Sequence, residues 1–191
     1  MSLSMLLSAL LAGVPVPESG PTGPPSLPPA TKPAELPLDG KDHLPILLGL
    51  CTAEDILRHR EVFRNNVTQA HLQPAWKARW KALDSPCVLV VAFGSWCGDS
   101  QQQLPDLLAL MQEPHPFVEV RLVGVGRDKK ADPAAWPKGA SIPVVERVPT
   151  FWLYSQQPGG ACRLVGSIVE TPPVPGQRMA QALLDLLEQA R

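Results

Sequence analysis

The chain has 191 residues, 45% of them apolar and 18% charged. That length suits about one domain, with an apolar share sufficient for a core. Seventeen Lys and Arg against eighteen Asp and Glu leave a formal net charge of −1, which argues against a nucleic-acid partner, because a phosphate binder carries surplus cations.

The segment 1–14 is apolar and contains no charged residue. The apolar run from Leu3 to about Val16 is too short for a bilayer span, which takes about 20 residues. Its length and composition suit the apolar region of a signal peptide, although no Lys or Arg precedes it and the first cation is Lys32. No later segment is long and apolar enough to cross a membrane, so no stable membrane span is expected. Segment 15–45 follows as a Pro-rich linker, with nine prolines between Pro15 and Pro37. Proline donates no ladder hydrogen bond, and the residues between have no apolar period to bury. The composition suits an extended, partly polyproline spacer and a disordered one equally. The domain is expected over 46–191.

Within it, Thr52 can cap a helix that begins Ala53-Glu54-Asp55 and runs to about Asn65, with acids in the first turn complementing the helix dipole. A second short helix opens at Pro74 and sets Trp76 and Trp80 one turn apart, on its core face. Cys87-Val-Leu-Val-Val-Ala-Phe93 is apolar on both faces, as in a central strand covered on both sides. Leu104, Leu107, Leu108 and Met111 recur at helical spacing, predicting a helix from Gly98 to Gln112 with Pro105 inside it. Phe117 to Gly124 reads as a strand. Residues 127–143 are irregular, with one short helix near Pro133 to Trp136. Thr150 to Ser155 and Arg163 to Val169 read as a hairpin, and Gln177 to Gln189 as a closing helix. The order is that of an α/β layer.

The strongest chemical signal is Trp96-Cys97-Gly98-Asp99-Ser100, at the junction of the central strand and its helix. A cysteine just ahead of a helix faces unpaired backbone N–H groups and the positive end of the dipole. Both favour thiolate, the nucleophilic form, and Trp96 would shield one side of the sulfur. The remaining cysteines, Cys51, Cys87 and Cys162, stand at no Cys-x-x-Cys spacing. Small buried hydrophobe is the simplest role for Cys87. The histidines are scattered, and there is no phosphate-binding glycine loop. No metal or organic cofactor is called for.

These features together resemble the thioredoxin superfamily. Trp96-Cys97-Gly98 follows an apolar strand, Pro105 falls eight residues after Cys97, and Val148-Pro149-Thr150 precedes the next strand as the family's cis-proline loop does. The chain looks most similar to bacterial thioredoxin-like proteins bearing Trp-Cys-Gly-Asp-Ser, which also carry a stretch like Gly166 to Pro172. The resemblance implies a central mixed sheet flanked by helices, with a core over 86–190 and a helical extension over 52–83. It implies a cis Val148–Pro149 bond, with Val148 pairing to an extended substrate backbone. With the apolar leader, it also implies export to the bacterial periplasm, the alternative being the cytoplasm.

Departures from the family bear on chemistry. Ser100 replaces the second thiol; its hydroxyl can donate to a thiolate but cannot attack a mixed disulfide. Val91 stands where thioredoxins keep a buried acid. Asp99 opposes the thiolate by like-charge repulsion. The implied site is Cys97 and Ser100 for chemistry, with Trp96, Gly98, Asp99, Val148 and Pro149 for substrate. Two functions stay open. One is a monothiol thiol–disulfide oxidoreductase or isomerase acting on protein or small-molecule thiols and disulfides. The other is a non-catalytic binding or chaperone-like module. A peroxide-reducing or glutathione-conjugating role ranks below both. Peroxidases of the superfamily need an arginine near the nucleophile, and none stands between Leu83 and Pro116. Oligomeric state is not legible.

Overall fold

The computed structural model describes residues 36–157 and 159–190. The apolar segment 1–14 and the Pro-rich stretch as far as residue 35 lie outside the described residues. The chain is an α/β structure built on a five-stranded mixed sheet flanked by helices. The strands are β1 (Gly49–Cys51), β2 (Cys87–Phe93), β3 (Val118–Gly124), β4 (Thr150–Gln156) and β5 (Cys162–Val169), in the spatial order β1-β3-β2-β4-β5. The central β2 runs parallel to β3 and antiparallel to β4. The helices are α1 (Ala53–His59), α2 (Glu61–Gln69), α3 (Pro74–Lys81), α4 (Gly98–Leu110) and α5 (Met179–Leu187).

All seven residues of β2 are buried. Side chains alternate faces along a strand, and the two sets enter different cores. Cys87, Leu89, Val91 and Phe93 join a large cluster with residues of all five helices, including Phe63, Trp80, Leu104 and Leu183. Val88, Val90 and Ala92 join a smaller one with Trp136, Val145, Trp152 and Tyr154. The second face is covered by the connection from β3 to β4, whose regular piece is a 3-10 turn at Pro133–Ala135. Trp76 and Trp80 are both core residues, as their spacing predicts.

Two local conflicts are resolved by tertiary contacts. Thr52 and Asp55 form a reciprocal capping box at the start of α1. The helix expected to continue to Asn65 instead breaks at Arg60, which is extended at φ −136° and ψ 134°. No proline or glycine marks the break. Arg60 reaches the carbonyl of Pro45, and Phe63 of the restarted helix enters the core with no exposed surface. The second conflict is Pro105. It has no N–H to offer the Gln101 carbonyl one turn back, and α2 supplies the missing donor: Asn66 Nδ2 donates to Gln101 O at 2.8 Å. Helix α4 therefore continues through Pro105. One residue on, buried Asp106 accepts from Arg178 and from the Ala180 N–H, tying the first turn of α5 to α4.

The folded chain begins ahead of residue 46. Leu38 bridges Pro45, Asp39 is buried, and Ile46 and Leu47 are core residues. Strand β1, only three residues long, had no readable pattern in the sequence. Gly124 is where this segment crosses the sheet edge: a Cβ there would lie 2.4 Å from the Leu47 carbonyl oxygen. Backbone cannot yield as a side chain tip can. Gly124→Ala is therefore expected to destabilise the fold by about 1–3 kcal/mol, seen as a lowered midpoint of thermal unfolding. An unchanged midpoint would mean that Leu47 does not pack on β3.

Candidate functional site

The end of β2 fixes the site. Val125 N–H donates to the Phe93 carbonyl, and Cys97 N–H donates back to the Gly94 carbonyl at 2.9 Å, closing a turn from the strand into α4. Cys97 is the N-cap of that 13-residue helix, and no side chain caps it. Cys97 is partly exposed at the helix N-terminus, where the dipole favours negative charge. Its thiol donates to the Val148 carbonyl at 3.3 Å. Residues 51 positions apart in sequence thus meet at the Cys97 sulfur.

Val148–Pro149 is a cis bond. Val148 and Pro149 are buried, and among the described residues no group accepts from the Val148 N–H. The loop is held from β5: Glu170, at φ 57°, donates its N–H to the Pro149 carbonyl at 2.7 Å and pairs its carboxylate with Arg147 at 2.9 Å. Thr150 Oγ1 adds a hydrogen bond to the Arg147 carbonyl. Glu170 lies in the Gly166 to Pro172 stretch, so that motif sits beside the loop and braces it.

The other expected site residues are placed as follows. Gly98 and Asp99 are exposed in the first turn of α4. Ser100 is fully buried, and its Oγ accepts from the Gly94 N–H at 3.2 Å. Its recorded bond therefore braces the turn, and none joins it to the sulfur of Cys97. The Trp96 ring packs over Gly94, where a Cβ would come within 2.7 Å of it. Its indole N–H donates to the Val125 carbonyl at 2.9 Å.

Two further residues complete the site. The Arg127 guanidinium lies over the Trp96 ring, 4.6 Å from its centroid. It is gripped by Asp39, through Nε at 2.7 Å and Nη2 at 2.6 Å. No arginine occurs in the sequence window around Cys97, yet the fold brings one to the neighbouring ring. Asp39 lies within the Pro-rich stretch, 88 residues from its partner, and no local pattern marks either residue.

All four cysteines are free thiols. Cys87 opens β2 at the opposite end of the sheet from Cys97, about 20 Å away by strand rise, and burial pushes its thiol up to about 11. Cys162 pairs with Gln156 at that same far end. Cys51 is on β1, with its thiol also raised by burial. Among the described residues no group of three or more His, Cys, Asp or Glu is arranged to hold a metal ion, and no helix is long and apolar enough to cross a membrane.

No protein-family model and no curated protein matches the chain. A crystal structure of an HIV epitope scaffold is similar in fold, with a TM-score of 0.51 at 19% identity, over 74% of this chain and 92% of that one. A crystal structure of a protein of unknown function from Pseudomonas aeruginosa aligns with a TM-score of 0.42 at 22% identity, over 74% of this chain and 81% of that one. The first likeness extends to the fold alone.

The Arg127 hydrogen bonds hold the Asp39 carboxyl at about 2, against an ordinary 3.8. Because the folded value lies below the unfolded one, the stabilisation is fully present above about pH 4 and is lost as pH falls through about 2. Asp39→Asn should therefore unfold more easily than wild type at pH 7, with the gap closing between about pH 4 and pH 2. Denaturant titrations across that window measure it, and a gap independent of pH would contradict the ion pair.

Proposed function

We propose that this is a thioredoxin-like domain that carries out monothiol thiol–disulfide exchange through Cys97 on protein or small-molecule disulfides. The observation that carries the reading is the meeting of the Cys97 sulfur, at the open N-terminus of α4, with the Val148 carbonyl at 3.3 Å. The unpaired Val148 N–H and the partly exposed Cys97 offer an extended chain a backbone donor beside a nucleophile. The strand order and the hairpin-then-helix ending support the fold part of the reading. The apolar leader supports an exported, disulfide-permissive setting.

In the exchange, the Cys97 thiolate attacks one sulfur of a substrate disulfide. A bond forms between that sulfur and Cys97 as the substrate S–S bond breaks. The departing sulfur leaves as a thiolate and takes a proton from solvent. Release needs a second thiolate to attack the substrate-side sulfur of the mixed disulfide, returning the electron pair to Cys97. Ser100 cannot supply it, Cys87 and Cys162 stand at the far end of the sheet, and Cys51 packs into the helix-side core while Cys97 packs against the cluster on the opposite face. The resolving group is therefore an external thiol, from a small molecule or a partner protein. The net reaction is interchange: one disulfide is consumed and one is formed.

Reduction of insulin by dithiothreitol, followed by precipitation, tests the reading. The full chain should accelerate it, and Cys97→Ala should return the rate to the protein-free level. Equal rates for both, with partners still captured by Cys97→Ala, would replace exchange with a non-catalytic binding role. Ser100→Cys supplies a resolving thiol one helical turn away. It should form an internal disulfide with Cys97 and shorten the life of a trapped mixed disulfide by about tenfold or more, read by intact mass spectrometry.

A further inference from the structure

A cavity of about 350 Å³ opens between α2, α4 and the residues that lead into α5. No residue of the cis-proline loop lines it, yet it shares α4 with the proposed exchange site. Cys97 caps that helix, and the cavity wall begins at Gln102 and Gln103. At 1.5 Å of rise per residue, about 8–9 Å of helix separates them from the cysteine.

The walls are amides. Gln69 of α2 and Gln102 and Gln103 of α4 line the cavity, and among the described residues their side chains have no hydrogen-bond partner. Asn66 lines it too; its Nδ2 is committed to the Gln101 carbonyl, which leaves its Oδ1 as an acceptor. On the α5 side, Gln177 donates Nε2 to Asp185 at 2.7 Å, and its Oε1 is buried without a partner. A buried acceptor left open destabilises the free protein, so a donor brought to this wall is favoured.

Charge does not select the occupant. Asp106 and Arg178 are the charged lining residues, and they pair with each other at 2.5 Å. An anion would meet a cation whose charge is already matched. No aromatic side chain lines the cavity, so neither a base nor a sugar ring has a flat face to lie on. The peptide group does fit. Each residue of an extended chain carries one N–H and one C=O, and a side-chain amide offers two donors and an acceptor. Free glutamine amides on two packed helices can pair with a backbone of any sequence. The volume lies at the small end of ligand sites, which suits a short stretch of chain.

We propose that this amide-lined cavity holds a segment of extended polypeptide, so that the disulfide substrates of Cys97 are protein chains rather than small molecules. The inference rests on the exchange reading and names the class of its substrate. An extended chain rises about 3.3 Å per residue, so about three residues cover the distance from the cysteine to the first amides.

Nuclear magnetic resonance tests this. Reduced, isotopically labelled full-length protein is titrated with insulin B chain whose cysteines are blocked with iodoacetamide, so that no exchange can occur. The side-chain amide signals of Gln69, Gln102 and Gln103 should shift saturably. The double variant Gln102→Ala, Gln103→Ala should bind the peptide about tenfold more weakly. Glucose and inorganic phosphate, at the same concentrations, should leave those signals in place. The proposal is overturned if the peptide does not bind, if it moves other signals but not these, or if the double variant binds as tightly as wild type. A response to glucose or phosphate as large as that to the peptide overturns it as well. Thermal unfolding checks that the double variant is folded; if it is not, the wild-type shifts decide alone. The probe has no free thiol, so the titration succeeds or fails whether or not Cys97 exchanges disulfides, which the insulin-reduction assay decides separately.

Discussion

The site depends on the burial of β2 on both faces and both edges. A strand with seven buried residues must give every backbone polar group to its neighbours, and β3 and β4 take them in fixed register. Phe93 falls opposite Gly124 and Ala92 opposite Thr150. From that register alone, the turn leaving β2 lies between the connection after β3 and the loop entering β4. Cys97 comes from the first, Arg127 from the second and Val148 from the third. None of the three could shift by one residue without turning core side chains to the wrong face.

Around the turn, small residues and borrowed hydrogen bonds let the chain reverse at short range. Gly94 leaves room for the Trp96 ring, and the Ser100 hydroxyl satisfies the buried Gly94 N–H. Read this way, Ser100 serves the architecture of the turn, whereas the sequence had suggested a donor to the thiolate. A second thiol at the same position would have to give up that bond to reach Cys97. The same economy appears at Pro105, where Asn66 of α2 answers the carbonyl that proline leaves open. The helical extension is thus joined to α4 through the defect that a proline creates.

The thiol chemistry proposed for Cys97 and the distance of Cys87 and Cys162 from it arise from one geometry. The end of β2 that opens onto α4 has the dipole, the Val148 backbone and Arg127. The other end has Cys87 and Cys162, buried or paired into the sheet. A strand's length separates them. In the proposed exchange a mixed disulfide forms at one end while Cys87 and Cys162 lie at the other, which makes an external thiol part of that proposal.

Much of this was written locally. The continuous apolar run from Cys87 to Phe93, the helical spacing of Leu104, Leu107 and Leu108, the capping Thr52 and the Trp76–Trp80 pair are local signals, and each lies in or at the start of the element it implies. Cys97 ahead of a helix was legible from the neighbouring residues, and Val148-Pro149 ahead of a strand only through the family resemblance. What tertiary structure alone decided lacks such a signal. The break at Arg60 answers to Pro45 and to the core position of Phe63. Strand β1 is too short to alternate. Arg127 and Asp39 are charged residues among other charged and polar ones, and only a fold that brings residues 88 apart into contact makes them a pair. Periodicity records which face of an element is buried. It carries no record of which distant side chain will lie against that face, because that is settled by sheet register and loop path.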